Sequence, residues 1–246
     1  MKRFPLFGLL ILIFCKQAIS KESYSFCFER WWPYSFVDHN HRAQGIEVDL
    51  IRFGLGQHQL SATFAELPFQ RCINAVKSGH IDFVLHVDLS DDLLLLTESY
   101  ADWTLTLAVD KARLTQFNAI EKMAPTIMLA EEYTYPPAVY ERLNELRATV
   151  VTRSFYEEND ENATQFFSVL KNSRIDAILI DKRWAAHMIS RFNLDVELLP
   201  KVFHKEPQYI GYRQDRNEKA QHLQSILSSI PANVRDNTEK RYDKAY

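Results

Sequence analysis

The sequence predicts an α/β fold with two lobes, and two observations support this. A helix–turn–strand pattern occurs twice, at residues 68–88 and at residues 166–181. In each copy, apolar residues at helical spacing lead through a short turn into a short apolar run typical of a buried strand. In each copy an acidic residue follows this run, Asp88 in the first and Asp181 in the second. Because ligands of such sheets lie beyond the carboxyl ends of the strands, we expect a ligand site at those ends.

The first twenty residues have the pattern of a secretory signal peptide. Lys2 and Arg3 make the start positive, and the apolar core that follows, residues 6–15, is too short to span a bilayer. Ala18 and Ser20 are small residues at the −3 and −1 positions of a cleavage site. We therefore expect cleavage after Ser20 and export of the remaining chain.

The length and charge of the exported chain limit its class of partner. Removal of Lys2, Arg3 and Lys16 leaves 26 of the 29 basic residues against 32 acidic ones, a formal charge of −6. An acidic chain without a basic patch interleaved with aromatic residues does not favour nucleic acid as a partner. About 226 of the 246 residues remain, enough for one large domain or two small lobes.

Two cysteines, Cys27 and Cys72, remain after cleavage. In an oxidising compartment, two cysteines are more often paired than free or bound to a metal. If Cys27 lies on the first strand and Cys72 on the helix that begins at Pro68, a disulfide would tie that helix to the sheet. Sequence cannot supply the geometry, so two free thiols stay open as the alternative.

The first half of the chain alternates between predicted strands and helices. The predicted strands are residues 24–29, 60–67, 81–87 and 103–109, and the predicted helices begin at Ile46 and Pro68. Gly79 supplies the positive φ that ends the second helix. The four leucines at residues 93–96 predict a short helical turn packed in the core.

The second half repeats the alternation. Its predicted strands are residues 126–130, 149–152, 175–180 and 209–212, and its predicted helices are residues 136–146, 182–192 and about 217–242. Alternation of this kind is typical of an α/β fold. The sequence has no low-complexity linker, so we expect strands, and not a flexible tether, to join the two lobes.

Four short motifs resemble one protein family. They are Trp-Pro-Tyr at residues 32–34, Gly-Ile-Glu-Val-Asp-Leu-Ile at 45–51, Leu-Pro-Phe-Gln-Arg-Cys at 67–72 and Gly-His-Ile-Asp at 79–82. Their order and spacing resemble the extracellular solute-binding proteins of family 3, the periplasmic amino-acid-binding proteins of ABC importers. The resemblance covers essentially the whole chain after the signal peptide.

This resemblance implies two α/β lobes joined by two crossing strands, residues 103–109 and 208–213, with a small ligand closed between the lobes. The chain would divide into a signal peptide (1–20), a first lobe (21–106 and 208–246) and a second lobe (107–207). The resemblance also implies a periplasmic location and an ABC permease or a membrane sensor as partner. We expect a monomer that uses no cofactor and no metal.

One residue of the family pattern is missing. In amino-acid-binding members, an arginine after the third strand pairs with the ligand's α-carboxylate through two parallel hydrogen bonds. The corresponding segment, residues 90–100, has no arginine, and none occurs between Arg71 and Arg113. The acidic residue that holds the ligand's ammonium group matches Asp181. Either Arg71 takes over the anion, or the ligand is a cation held by carboxylates and aromatic rings instead of an ordinary α-amino acid.

The candidate ligand-binding residues carry aromatic rings, charges or hydroxyl groups near the predicted strand ends. They are Trp31, Trp32, Tyr34, Phe36, Arg71, His86, Asp88, Tyr133, Tyr135 and Asp181. Four aromatic residues within six positions suit the wall of a ligand site, although packing under the sheet is the alternative. Arg71 could share an anion with a helix N-terminus or form an ordinary ion pair, and Asp181 could instead cap the next helix.

The leading interpretation is a periplasmic solute-binding protein that captures a small polar ligand, for ABC-type import or for sensing. One rival is a periplasmic enzyme of the dehydratase kind, because Glu66, His86, Asp88 and Asp181 could supply an acid–base pair. The other rival is a signalling partner that has lost its ligand. The sequence has no nucleophile elbow, metal-binding set or phosphate loop, so we assign no catalytic residue and do not expect an enzyme.

Overall fold

The computed structural model describes residues 23–89, 91–122, 124–131, 133–154, 160–172 and 174–243. The predicted signal peptide, residues 1–20, lies outside the described residues, as do residue 90 and residue 173 in the turn of the second pattern copy. Among the described helices, none is long and apolar enough to cross a membrane.

Strands and helices alternate through the described residues, as the sequence predicts. The strands are β1 (Ser23–Phe28), β2 (Phe36–Val37), β3 (Ala43–Gln44), β4 (Ser61–Glu66), β5 (Phe83–Val87), β6 (Leu94–Leu95), β7 (Ala101–Asp110), β8 (Thr126–Ala130), β9 (Thr149–Arg153), β10 (Ala177–Asp181), β11 (Val196–Leu198) and β12 (His204–Tyr212). The α-helices are α1 (Ile46–Gln57), α2 (Phe69–Lys77), α3 (Pro137–Glu145), α4 (Asp160–Ser168), α5 (Lys182–Phe192), α6 (Asn217–Ser228) and α7 (Ala232–Asp243). The segments Lys111–Lys122, Val169–Asn172 and Gln214–Arg216 are 3₁₀ helices.

One sheet links two parallel groups of strands through two antiparallel ones. Its order is β4-β1-β5-β12-β7-β10-β8-β9, with β11 beside β7 and β6 beside β12. Strands β4, β1 and β5 are parallel, and so are β10, β8 and β9. The joining strands β12 and β7 pair with each other from His204 to Gln208. Strand β12 begins earlier than predicted because pairing with β7 overrides the weak strand preference of a polar stretch that contains Pro207.

Separate clusters of buried side chains give the chain two lobes. The first core contains Tyr24 and Ile51 together with Ile210 and Leu227 from the end of the chain. The second lobe packs its apolar side chains on the two faces of strands β7, β8 and β10. Strand β7 contributes Ala101 to the first lobe and neighbouring apolar residues to the second. The predicted two-lobed α/β fold is thus confirmed, while the lobe boundaries at residues 106 and 207 stay a prediction.

The prediction for the leucine run at residues 93–96 is wrong. Leu94 and Leu95 form the short strand β6, which pairs with Gly211 and Tyr212 of β12. Because β12 extends past the end of β7, it offers backbone groups that this segment can pair with instead of closing a helical turn. Alternation along the strand leaves Leu94 44% exposed, and of the four leucines only Leu96 is buried.

A disulfide joins Cys27 to Cys72, with 5.3 Å between their Cα atoms. It ties α2 to β1, and both cysteines are buried in a small apolar cluster with Val76 and Val84. Helix α2 ends where predicted, because Gly79 follows its last turn with a φ of +80°. The predicted disulfide is therefore confirmed, and it fixes the helix beside the first strand.

Candidate functional site

A tight loop at the carboxyl end of β1, called the aromatic loop below, carries three of the predicted aromatic residues, Trp31, Trp32 and Tyr34. The backbone N–H groups of Tyr34 and Ser35 donate to the carbonyl oxygen of Trp31, at 2.8 and 2.9 Å. The loop rests on Gly45, whose φ is +122°. A Cβ at Gly45 would lie 2.2 Å from the carbonyl oxygen of Tyr34, so only glycine allows this loop to pack against the start of α1.

A buried acid–imidazole pair lies behind this loop in the first lobe. His86 Nε2 hydrogen-bonds the carboxylate of Glu47, and Ser35 Oγ lies 3.4 Å from the same nitrogen. The ring of Trp31 meets the His86 ring edge-on, with 4.7 Å between centroids. Glu47 is 1% exposed, and its Oε1 has no hydrogen-bond partner among the described residues. Because both contacts use Nε2, the group is not a Ser–His–Glu relay, in which the two ring nitrogens serve different partners.

Tyr34 and Arg183 meet where the two lobes join. The hydroxyl of Tyr34 donates to the carbonyl oxygen of Asp102 at 3.3 Å, and the guanidinium carbon of Arg183 lies 5.5 Å from the Tyr34 ring centroid. The Nη2 of Arg183, in α5, also donates to Glu239 of α7 at 2.8 Å. Burial raises the pKa of Tyr34, against the lowering effect of the Arg183 charge. Arg183 of the second lobe therefore contacts two residues that belong to the first.

Asp181 ends β10 and caps α5. Its Oδ1 accepts the backbone N–H of Trp184 at 2.8 Å, which is the capping role considered above. The side chain is 1% exposed. Burial raises the pKa of Asp181 to about 7, although backbone N–H groups and the charge of Arg183 oppose the rise. A ligand contact by Asp181 stays a prediction.

A second contact between the lobes is aromatic. The ring of Trp32 stacks on His187 of α5, with 3.8 Å between centroids and 17° between planes. Trp32 packs against the second-lobe core, whereas its loop neighbour Trp31 packs against the first. Arg183 and His187 are one helical turn apart and so share a face of α5. Neither residue was predicted from the sequence. Their spacing of four residues, in the helix that begins directly after Asp181, is the pattern that could have indicated them.

The Trp32–His187 stack should contribute measurable coupling between the lobes. A double-mutant cycle with Trp32→Ala and His187→Ala is expected to give a coupling energy of about 0.5–1.5 kcal/mol in the free energy of unfolding, because stacked rings add about that much beyond their buried area. Urea unfolding of the four proteins measures it. A control cycle pairs Trp32→Ala with His58→Ala, since His58 contacts His222 instead. Equal coupling in the two cycles would contradict the assignment.

Three predicted site residues lie elsewhere. Phe36 belongs to the short β2–β3 hairpin, and its ring meets Tyr242 at 6.2 Å in the first core. The hydroxyl of Tyr135 accepts the backbone N–H of Ala130 at 3.1 Å and is buried in the second core. Arg71 is exposed on α2 and makes no ion pair with the residues that the structure describes. Strand pairing positions Phe36 and core packing positions Tyr135, whereas Arg71 lies at the surface of α2, and a ligand contact by any of the three stays a prediction.

The last two candidates, Tyr133 and Asp88, stay predictions. Tyr133 is partly buried in the second lobe, and its ring meets Trp103 edge-on at 5.8 Å. Asp88 follows β5, and its backbone N–H donates to Asp91 Oδ2 at 3.1 Å. Burial raises the pKa of Asp91, and the neighbouring charge of Asp88 adds to the rise. Asp88 and Asp91 thus place acidic groups at the carboxyl end of β5.

A family model for bacterial extracellular solute-binding proteins, family 3, matches residues 26–242. The chain belongs to this family. The match spans both lobes, and the predicted family membership is confirmed. Among curated proteins, no match was found.

Solved structures show the same fold at low sequence identity. An ancestral amino-acid-binding protein, a precursor of cyclohexadienyl dehydratase, is 17% identical with a TM-score of 0.66, over 90% of this chain and 95% of that one. The GluR0 ligand-binding core in complex with L-glutamate is 14% identical with a TM-score of 0.68, over 91% and 99%. A periplasmic binding protein of Salmonella typhimurium with high arginine specificity is 14% identical with a TM-score of 0.65, over 89% and 98%.

Proposed function

We propose that the exported chain is a periplasmic solute-binding protein that holds one small polar ligand, an amino acid or a related compound, between its lobes. One observation carries the proposal. Tyr34 of the first lobe, whose ring packs with Trp31 and His86, meets Arg183 of the second lobe near the carboxyl ends of parallel strands, and Arg183 follows Asp181 by two residues. Ligands of α/β sheets bind at such ends. The loaded protein would serve an ABC permease or a membrane sensor.

In this proposal the two lobes supply different kinds of contact. The aromatic loop supplies rings that cover the ligand, and Asp181 supplies a carboxylate for its ammonium group. Contacts from both lobes exist together only when the lobes are closed, so ligand affinity drives closure. Proteins with this fold include a periplasmic binding protein of high arginine specificity and a ligand-binding core in complex with L-glutamate, which supports an amino acid as the class of ligand.

A thermal-shift screen of the refolded, ligand-stripped chain tests the proposal. The panel holds amino acids, polyamines, quaternary amines, small carboxylates and oligosaccharides. A ligand at 100 times its dissociation constant is expected to raise the free energy of unfolding by about 2.7 kcal/mol, which gives a clear rise in melting temperature. Trp31→Ala should lose the shift, whereas Tyr140→Ala, at an exposed position on α3, should keep it. Absence of any shift across the panel would contradict ligand capture.

Catalysis by a periplasmic lyase is the second candidate function. It is favoured by the pKa of Asp181 of about 7, which suits a general acid or base near neutral pH, and by the fold shared with the precursor of a dehydratase. Mass spectrometry of each stabilising compound after prolonged incubation with the chain distinguishes the two functions. Recovery of the intact compound supports binding, and loss of one water molecule supports the lyase.

A further inference from the structure

We propose that Arg183 binds the carboxylate of the ligand, in place of the arginine that is missing from residues 90–100. This inference rests on the proposed function, because it assigns a role within the same site. It replaces both explanations considered from the sequence, namely that Arg71 holds the anion or that the ligand lacks a carboxylate.

Arg183 has the position that this role requires. It lies in the first turn of α5, two residues after Asp181, where β10 ends. Its guanidinium lies over the ring of Tyr34, so it faces the aromatic loop of the opposite lobe. The side chain is 33% exposed, which leaves part of the guanidinium accessible to a solute. An ammonium-binding carboxylate and a carboxylate-binding guanidinium would then be adjacent, as the two charges of an α-amino acid require.

Arg183 already holds a carboxylate from the opposite lobe. Its Nη2 donates to Oε2 of Glu239 at 2.8 Å, and the Glu239 side chain is 45% exposed. Ion pairs at such exposure contribute little to stability, so a ligand carboxylate could replace Glu239 at small cost. The planar guanidinium can bind that carboxylate through two parallel hydrogen bonds, which a lysine cannot do.

Three other arginines differ from Arg183 in their position or in their partners. Arg30, next to the aromatic loop, donates to Glu66 and to the carbonyl oxygen of Val37. Arg191 lies at the far end of α5, where its guanidinium covers the ring of Phe192. Arg71 is exposed on α2. Among these, Arg183 alone contacts Tyr34.

Calorimetric titration with matched pairs of compounds tests the proposal. Each pair is an amino acid and its decarboxylated amine: L-arginine with agmatine, L-lysine with cadaverine, and L-histidine with histamine. The unmodified chain is expected to bind at least one of these amino acids tenfold or more tightly than its amine. Arg183→Gln should weaken binding of that amino acid by about 10- to 100-fold, because a charge-assisted hydrogen bond is lost, and change the amine's affinity less than threefold.

Two variants control for lost structure. Glu239→Gln removes the same ion pair from its other side but keeps the guanidinium, so it should bind the amino acid as tightly as the unmodified chain or more tightly. Arg191→Gln removes a guanidinium from the same helix and should leave affinity unchanged. Arg183→Lys should recover only part of the affinity, since an ammonium group cannot form the paired hydrogen bonds.

The possible failures are distinguishable. Unchanged amino-acid affinity in Arg183→Gln, an equal loss for amino acid and amine, or preference of the unmodified chain for the amines would overturn the role of Arg183 and leave the proposed function standing. Absence of binding by the unmodified chain to every compound here and in the thermal-shift panel would overturn the proposed function, and this inference with it.

Discussion

Asp181→Asn is expected to stabilise the ligand-free chain by up to about 4 kcal/mol at pH 8. Burial raises the pKa of this carboxyl from 3.8 to about 7, so the folded state binds its proton more tightly than the unfolded state does. The stabilisation of the folded state by this tighter proton binding is fully present below about pH 4 and is lost as the pH rises through 7. The upper limit follows because each tenfold increase in proton affinity on folding is worth about 1.36 kcal/mol.

Asparagine removes the charge and keeps the structure. It has nearly the same shape as aspartate, and its side-chain oxygen can accept the N–H of Trp184 because asparagine is a good helix cap. Urea unfolding at several pH values measures the effect. The advantage of the variant should shrink to under about 2 kcal/mol at pH 5, where the native carboxyl is mostly protonated in the folded state.

The matched control is Asp195→Asn. Asp195 is exposed and lies 3.6 Å from Lys171, so its neutralisation should change stability by less than about 0.5 kcal/mol. A loss of stability in Asp181→Asn at pH 8 would contradict the account, and so would a gain that does not depend on pH.

Removal of the disulfide is expected to lower the free energy of unfolding by about 2–4 kcal/mol. The bridge joins residues 45 positions apart, and closing a loop of that length restricts the unfolded chain. Replacement of both cysteines by alanine is the suitable change, because Cys27 and Cys72 are buried among apolar side chains where a hydroxyl would lack a partner. Urea unfolding of the oxidised chain and of the double variant gives the difference.

Reducing agent serves as the control for this experiment. It should lower the stability of the native chain towards that of the double variant and leave the variant unchanged. A difference below about 1 kcal/mol between the oxidised chain and the variant would mean that the bridge adds little to the fold.

Local sequence patterns predicted most of the fold. Apolar runs of strand length and helical spacing of apolar residues located β5, β8 and β10 and the helices that flank them. The disulfide followed from two cysteines placed on a strand and its neighbouring helix. The prediction for the leucine run at residues 93–96 failed because this segment pairs with the backbone of β12, which lies far along the chain.

The site was less predictable, because its geometry depends on how the lobes meet. Trp32 reaches His187, and Arg183 reaches Glu239, across long separations that no local pattern encodes. The aromatic character of these residues could not distinguish Trp31, which packs on the buried His86 ring, from Phe36, which lies in the β2–β3 hairpin and packs against the first core. Glu47 was visible in its family motif, but its pairing with His86 requires α1 and β5 to pack together.

Asp181→Asn should raise the stability of the ligand-free chain and lower its affinity for the ligand. A buried carboxyl that weakens the fold at neutral pH is not explained by stability. A role in binding the ammonium group of a ligand would explain why a charged residue occupies this position. Variants that stabilise a fold by removing such a group commonly lose function. The affinity and the stability of Asp181→Asn therefore both test whether Asp181 is a ligand-binding residue.

The most direct measurement is calorimetric titration of Asp181→Asn with an amino acid that stabilises the unmodified chain in the screen. The account predicts that affinity falls by tenfold or more, the effect of losing a charged hydrogen-bond partner, although the ligand-free variant is the more stable protein at pH 8. Unchanged or tighter binding by the variant would show that Asp181 only caps α5, and would contradict a ligand held at the junction of the two lobes by that carboxylate.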